Sequence, residues 1–487
     1  MIKILVRMSP ELTIKSDRVR RKFQKILVNN INAAFTDEGL KFSLQNSWSR
    51  IYLTLESEEG IEVLKRIFGI HSFSIVEGEC VSNLDDIIEM GLKVFRPQIS
   101  LDESFAVRTK RSGKRLPFTS VDVNRQLGAA LNVGVDNVDL TNPERRFFVE
   151  VRTETTFFFS QSIKGAGGLP LGSAGRAVCL ISGGFDSPVA AWMLMKRGVH
   201  LDFVLCNIAG AAFERSVLEI TSALVKRWGY GMNKSRFFSI PFDTLVVELK
   251  EKVAAKYVQV ILKRLFYRAA SKIVNVYDAD AIVTGEAIGQ VSSQTMKNLR
   301  TINVVTDLPV FRPLLSFDKE EIIELSKRIG THDLCVSVQE FCHLVPDKPA
   351  TACSLENADK AESVFDLSLL ENAVKATRPI LIKRLNAADL IFPYVSINYV
   401  PDNSVVVDCR SEELFEEWHF PKASNIEYHK VLGDFKNWDK SKTYLLYCPI
   451  GMQSTVLAEK MQSNGYLSYS FKGGVEQLKQ YLKSLEE

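Results

Sequence analysis

Apolar positions along the chain fall into two rhythms, and their succession predicts a mixed, multidomain architecture. The opening "MIKILVRM" reads as a strand. "SDRVRRKFQKILVNNINAAF" spaces its apolar residues as one face of a helix, and "SRIYLTLES" returns to strand alternation. The next segment mixes helix, strand and helix and ends in "RRFFVEVRTETTFFFS", whose alternation predicts a strand pair or one long strand. A glycine-rich stretch, "KGAGGLPLGSAGR", carries five glycines from Gly165 to Gly175 and marks a boundary. Beyond it "AVCLIS", "LDFVLCNI", "SRFFSIPF" and "AIVTGE" alternate with "SPVAAWMLMKRG", "LEITSALVKRWG" and "VQVILKRLFYRAASKIVNVY". Short apolar strands alternating with helices predict a parallel α/β sheet. The same alternation recurs on a smaller scale in "VVVDCR", "TYLLYC" and "SYSFKGG", predicting a separate small α/β domain. The expected divisions are residues 1–59, 60–166, 176–377 and 386–487.

At 487 residues the chain has room for two to four domains, and its net charge of +3 is too small to decide a partner. "MIKILVRMSPEL" has no long apolar core of the kind a signal peptide needs, and no apolar run is long enough to span a membrane. The eight cysteines, Cys80, Cys179, Cys206, Cys335, Cys342, Cys353, Cys409 and Cys448, include no C-x-x-C pair. The expectation is a cytoplasmic protein without membrane attachment, whose thiols are mostly free and, where they matter, catalytic.

The most specific chemical signal is "AVCLISGGFDSPVAAWML". An apolar strand ends at Ile181, Ser182 to Ser187 make a tight turn, and Pro188 stands where a helix is expected to begin. Gly183 and Gly184 let backbone N–H groups face an anion, the helix N-terminus adds its dipole, and the Ser182 and Ser187 hydroxyls can donate to phosphate oxygens. The turn lacks the lysine of a Walker A loop and carries Asp186 instead. A carboxylate beside phosphates repels them unless a cation stands between, so Asp186 implies Mg²⁺.

A second signal is "YLLYCPIGMQST". An apolar strand stops on Cys448, and a Pro/Gly loop leads into a helical segment. Successive N–H groups in such a loop stabilise a thiolate. The spacing to Ser454 is C-x5-S; a C-x5-R phosphatase loop would have an arginine there to clamp a phosphate dianion. With no cation between Cys448 and Ser454, the loop suits a smaller anion such as a persulfide. Cys409, at the end of "VVVDC", reads as a buried small apolar residue.

Basic residues cluster in the N-terminal half. Arg108, Lys110, Arg111, Lys114 and Arg115 fall within eight residues between Phe105 and Phe118, and "SDRVRRKFQK" adds Arg18, Arg20, Arg21, Lys22 and Lys25. On charge alone these fit a solvated face as well as a phosphate-binding one.

Residues Ser182 to Ser187 resemble the PP-loop of the ATP pyrophosphatases, which adenylate a carbonyl-type oxygen. With "ILKRLFYRAA" and "IVTGEAIGQVSSQTMKNL" downstream, the resemblance narrows to the ThiI family of tRNA sulfurtransferases, which form 4-thiouridine. "IKILVRMSPELTIKSDRVRRKF" is similar to that family's ferredoxin-like α+β domain, and the stretch with "VDLTNPERRFFVEVR" resembles a THUMP domain, an RNA-binding module. "VVVDCR", "EEWHFPKASNI" and "FKGGVEQL" resemble segments of a rhodanese-like α/β domain. The resemblance implies an ATP site in which Leu180 and Ile181 meet adenine or ribose and Lys263, Gly285 and Gln294 complete the contacts; on its own Lys263 reads as a solvated helix residue. It implies a persulfide on Cys448, supplied by a cysteine desulfurase, and a partner thiol at Cys342 in "VQEFCHLVPDKPAT" that closes a Cys342–Cys448 disulfide. The implied partners are tRNA, bound through residues such as Arg108, Lys110, Arg111, Lys114 and Arg115, and a ThiS-type sulfur carrier protein for thiamine thiazole synthesis. Two other readings stay open: a persulfide relay to a carrier protein without tRNA chemistry, and a PP-loop thiolase with a metal cluster on Cys335, Cys342 and Cys353.

Overall fold

The computed structural model describes residues 1–47, 50–100, 102–112, 116–132, 137–336, 338, 348–385 and 395–486. Cys342, Lys114 and Arg115 lie outside the described residues. The chain divides into two compact units, Met1–Ala174 with Met195–Val199, and Gly175–Leu194 with His200–Glu487.

The first unit holds two sheets. Strands β1 (Ile2–Met8), β2 (Phe42–Asn46), β3 (Ile51–Leu55), β4 (Ile70–Ile75) and the later β9 (Ile163–Lys164) form an antiparallel sheet of order β2-β3-β1-β4-β9. This sheet draws strands from both sides of the division expected at residue 59. Gln24, Leu27, Ile31, Ala34 and Phe35 bury one face of the Asp17–Asp37 helix. Their spacing of three and four residues makes one stripe, and Arg18, Arg21, Lys22 and Lys25 fall on its exposed side. Between β4 and β9 the chain builds a second sheet of order β5-β8-β7-β6, from β5 (Gly78–Val81), β6 (Phe105–Arg111), β7 (Arg145–Val151) and β8 (Thr155–Phe159). "RRFFVEVRTETTFFFS" is therefore an antiparallel strand pair. Phe95, Phe105, Phe147 and Phe158 centre the core that this sheet shares with the Leu84–Phe95 and Ser120–Leu131 helices.

Glu150 on β7 is buried to 2 % exposure among Arg7, Arg50 and Arg152, with the Arg50 contact at 2.8 Å and the Arg7 contact at 3.4 Å. Burial pushes its carboxyl up, but Arg50, Arg152 and Arg7 pull harder, so it lies below the ordinary glutamate range. A depressed carboxylate stabilises the fold above the unfolded pKa and loses that contribution as pH falls through the folded value. Glu150→Gln is expected to cost about 3 kcal/mol, because it leaves three guanidinium groups without their buried counter-charge. Urea unfolding at neutral pH checks this, and the variant's stability should depend less on pH on the acid side.

The second unit opens with β10 (Arg176–Leu180), β11 (His200–Asn207), β12 (Arg236–Pro241), β13 (Ala281–Val283), β14 (Val310–Phe311) and β15 (Ile380–Leu381), ordered β14-β13-β10-β11-β12-β15. All pairs are parallel except the edge pair β12–β15. The continuous burial of β11 is what a central parallel strand requires. From β10 the chain adds β11 and β12 on one side, then crosses to place β13 and β14 on the other. The carboxyl ends of β10 and β13 thus flank a topological switch point, where open α/β sheets bind ligands.

A fourth sheet, fully parallel, has order β16-β20-β19-β17-β18, from β16 (Ser396–Ile397), β17 (Val405–Asp408), β18 (Ser424–Asn425), β19 (Thr443–Tyr447) and β20 (Leu467–Phe471). Its switch point lies between β17 and β19.

Candidate active site

At the first switch point the chain leaves β10 into Ser182–Phe185, and a helix begins at Asp186. Pro188, expected to open that helix, sits two residues inside it and still within the first turn, where a missing N–H is harmless. The turn is closed internally: the Ser182 N–H donates to Ser187 Oγ at 2.9 Å, and the two hydroxyl oxygens are 3.1 Å apart. The cavity beside it measures about 300 Å³. Leu180, Ile181, Ser182, Gly183, Gly184, Asp186, Ser187, Lys263, Gly285 and Gln294 all line it. Every residue expected at the nucleotide site is therefore brought to one place, from β10, the Val258–Val276 helix, the segment after β13 and a 3-10 turn.

Gly285 follows β13 and faces the turn. A Cβ there would stand 2.7 Å from the Asp186 carbonyl carbon and 2.7 Å from the Ser187 nitrogen, so only glycine lets the two backbones approach this closely. Gly285→Ala is expected to displace the turn and to weaken binding of ATP, the ligand that the family resemblance implies, about ten- to a hundredfold, as an overpacking cost of about 1–3 kcal/mol would. Titration calorimetry with ATP checks it, with a thermal scan to separate displacement from unfolding.

Three features of this cavity have no sequence motif of their own. Asp186 is held by Gln290 Nε2 at 3.0 Å and Lys319 Nζ at 3.3 Å. Glu286 accepts from Tyr267, from Thr284 Oγ1 at 2.9 Å and from Arg312 Nε at 2.9 Å; burial and the adjacent Glu286 hold the Tyr267 phenol above its ordinary range. Gln294 lines the cavity, and its Oε1 is buried with no hydrogen-bond partner among the described residues. Cys206 also lines the cavity; burial raises its thiol, and Lys263 partly offsets that. Cys335 is buried with Sγ 3.6 Å from the Gly184 carbonyl, and burial pushes its thiol up to about 12. Cys353 belongs instead to the core under the Val258–Val276 helix. Among the described residues no group of three or more His, Cys, Asp or Glu could hold a metal ion.

At the second switch point Cys448 directly follows β19 and is 1 % exposed. Ser454 contacts its sulfur twice, through the N–H at 3.5 Å and the hydroxyl at 3.4 Å. The serine in place of an arginine is thus a neutral donor aimed at the sulfur, from the first turn of the Met452–Ser463 helix. Gly451 turns the loop with φ +88°, and the Val475 N–H ties down the Cys448 carbonyl at 3.2 Å. Gly474 packs so closely that a Cβ would meet the Cys448 and Pro449 carbonyls at 2.5 Å. Asp408 and Arg410 form a buried fork with contacts of 2.7 to 3.2 Å, and Asn425 Nδ2 donates to the Arg410 carbonyl at 3.0 Å. The Gly210–Trp228 helix, whose Phe213 lines the cavity at the first switch point, packs on the Met452–Ser463 helix, with an Arg215–Glu459 ion pair at 3.1 Å.

In the first unit, Arg108 donates to the Leu140 carbonyl and Arg111 to the carbonyls of Leu116 at 3.1 Å and Phe118 at 2.6 Å, while Lys110 is exposed. Two of the three described members of this basic cluster therefore brace the chain locally.

Four family models match in succession: the ThiI ferredoxin-like domain at residues 3–74, the THUMP domain at 81–160, "Thiamine biosynthesis protein (ThiI)" at 172–367 and the rhodanese-like domain at 398–481. The tRNA sulfurtransferase of Actinobacillus succinogenes is 35% identical over 477 residues, covering 96% of this chain and 98% of the relative. That of Escherichia coli O1:K1 / APEC is 35% identical over 478 residues with the same coverage. The chain belongs to the ThiI family of tRNA sulfurtransferases.

A solved 4-thiouridine synthetase–RNA complex with bound ATP resembles this ThiI-family chain with 30% identity and a TM-score of 0.68, covering 78% of this chain and 99% of the other. PH1313 from Pyrococcus horikoshii shares the fold, with 24% identity and a TM-score of 0.52 over 68% of this chain and all of the other. The ThiI match encloses every residue that lines the 300 Å³ cavity, and the rhodanese-like match encloses the Cys448 loop.

Proposed function

We propose that this ThiI-family chain converts a tRNA uridine to 4-thiouridine, using ATP to activate the base and a Cys448 persulfide as the sulfur source. ATP lies in the 300 Å³ cavity, its phosphates against Ser182, Gly183, Gly184 and Ser187 and its adenosine along the Leu180–Ile181 backbone. Lys263 meets phosphate charge, and Gln294 completes the lining. Asp186 is the cavity carboxylate free of the Tyr267–Arg312 network, which fits a Mg²⁺ ion held mostly by substrate phosphates. Bound with ATP, that ion would offset phosphate charge during adenylation. O4 of the uridine, at position eight by family resemblance, attacks the α-phosphate and releases pyrophosphate. The base leaves its stack to reach the cavity.

Cys448 accepts sulfur from a cysteine desulfurase, and Ser454 stabilises its negative charge. The terminal sulfur displaces AMP at C4, and the Cys342 thiol closes a disulfide with Cys448 by thiol–disulfide exchange. Release of hydrosulfide by Cys342 before the attack satisfies the same residues. A ThiS-type carrier can draw on the same persulfide. The observation that supports the reading most is the pairing, in one compact unit, of an anion-binding turn with a cavity carboxylate and a thiol cradled at a second switch point.

The test is sulfur transfer to unmodified tRNA from labelled cysteine, a cysteine desulfurase and ATP. Label should enter tRNA with one AMP and one pyrophosphate formed per sulfur, and without reductant a Cys342–Cys448 disulfide should accumulate. Labelling of tRNA without ATP consumption overturns the reading.

A further inference from the structure

Cys409 has no role in the chemistry above, yet the sheet sets it beside the persulfide carrier. β17 and β19 are parallel neighbours with Val405 paired to Tyr444, Val407 to Leu446 and Asp408 to Tyr447. One residue further the register aligns Cys409 with Cys448, and the Cys409 N–H still donates to the Tyr447 carbonyl at 2.9 Å. Side chains alternate along each strand. Val407, Cys409, Leu446 and Cys448 share one hydrophobic cluster, while Val406, Leu445 and Tyr447 belong to the cluster on the other face. Both thiols thus project from the same face at paired positions. Neighbouring strands run about 4.8 Å apart, inside the range of roughly 4.4 to 6.8 Å that disulfide-bonded Cα atoms occupy.

We propose that Cys409 is a second outlet for the Cys448 persulfide, discharging it as hydrosulfide when no acceptor is engaged. The inference rests on the reading that Cys448 carries the sulfur. The Cys409 thiolate attacks the inner sulfur of Cys448; the Cys448–sulfur bond of the persulfide breaks, and its electron pair leaves with the terminal sulfur as hydrosulfide. A Cys409–Cys448 bond forms in its place. The terminal sulfur is reduced and Cys409 is oxidised, so the persulfide itself supplies the oxidising equivalent; the Cys409 proton goes to solvent. A dithiol reductant restores both thiols. Burial, the neighbouring Cys448 and Asp408 hold the Cys409 thiol well above its ordinary range, so its thiolate is scarce and the discharge is slow. Transfer through an engaged acceptor and Cys342 then wins whenever tRNA is in place.

The test uses the full-length Cys342→Ser chain, loaded by a cysteine desulfurase with labelled cysteine, desalted and held without tRNA or ATP. Labelled hydrosulfide should leave, and non-reducing peptide mapping should find one Cys409–Cys448 linkage per sulfur released. In the Cys342→Ser, Cys409→Ala double variant, release should slow at least tenfold while label stays on Cys448. Equal release from both chains, or retained label with no linkage in the single variant, overturns the inference and leaves the persulfide reading standing. Absence of label on Cys448 in the unsubstituted chain overturns both. If the double variant fails to load, the mapped linkage in the single variant decides.

Discussion

Cys448→Ser is expected to abolish sulfur transfer to tRNA, by at least about a thousandfold, the scale on which loss of a covalent nucleophile is felt. The substitution is nearly isosteric, and the surrounding loop does not depend on sulfur. Gly451 sets the turn, Val475 holds the 448 carbonyl, and the Ser454 N–H and hydroxyl would donate to an oxygen as they do to Sγ. The variant therefore keeps its fold and the cavity proposed for ATP, which belongs to another sheet of the same unit. It loses the one property serine cannot supply, a polarisable sulfur nucleophile that accepts and releases sulfur. Labelled sulfur from a cysteine desulfurase should fail to attach at position 448, while ATP binding is unchanged. Thiolation of tRNA at the unsubstituted rate, with the desulfurase as the sulfur donor, would mean that Cys448 is not the carrier.

Much of this site is legible in the sequence itself. The apolar runs ending at Ile181 and Tyr447 are strand cores, and each runs into a loop with its own chemistry. Local pattern therefore locates both Asp186 and Cys448. Gly285 is named only through the family resemblance; the fold adds that a Cβ there would strike the Asp186–Ser187 backbone. Local pattern cannot carry anything made by long-range pairing. Lys319 lies 133 residues from the carboxylate it faces, and Gln290 lies 104 residues away. The β9 and β15 strands are two residues each, too short for any periodic signal, yet one completes the first sheet and the other makes an antiparallel edge on a sheet expected to be parallel. The basic cluster at Arg108 to Arg111 shows the opposite limit. On charge alone the run fits a solvated face as well as a phosphate-binding one, and two of its arginines turn out to satisfy backbone carbonyls. Cys409 reads as an inert buried residue because its neighbour in space is set by strand register, not by sequence.

Asp186→Asn is expected to lower tRNA thiolation on the order of a hundred- to a thousandfold, the scale seen when one preorganised electrostatic group is removed from an active site, while sulfur loading of Cys448 continues at its normal rate. Asparagine keeps the shape of the side chain and can still accept from Gln290, so the turn and its helix should stand. The negative charge is the property that disappears. Lys319, now 3.3 Å from a carboxylate and paired with it, would face a neutral amide, and the cavity would become net more positive. If the role of Asp186 were simply to keep the phosphate site from being too positive, this change would tighten ATP binding and leave turnover intact. If instead Asp186 places Mg²⁺ against the phosphates, ATP would still bind through Lys263 and the turn, but AMP formation would fail. Measuring ATP affinity and pyrophosphate release on the same preparation separates the two. Retained pyrophosphate release in the asparagine variant would refute the metal-placing role, and simultaneous loss of pyrophosphate release and Cys448 loading would point to a fold that the substitution had disrupted.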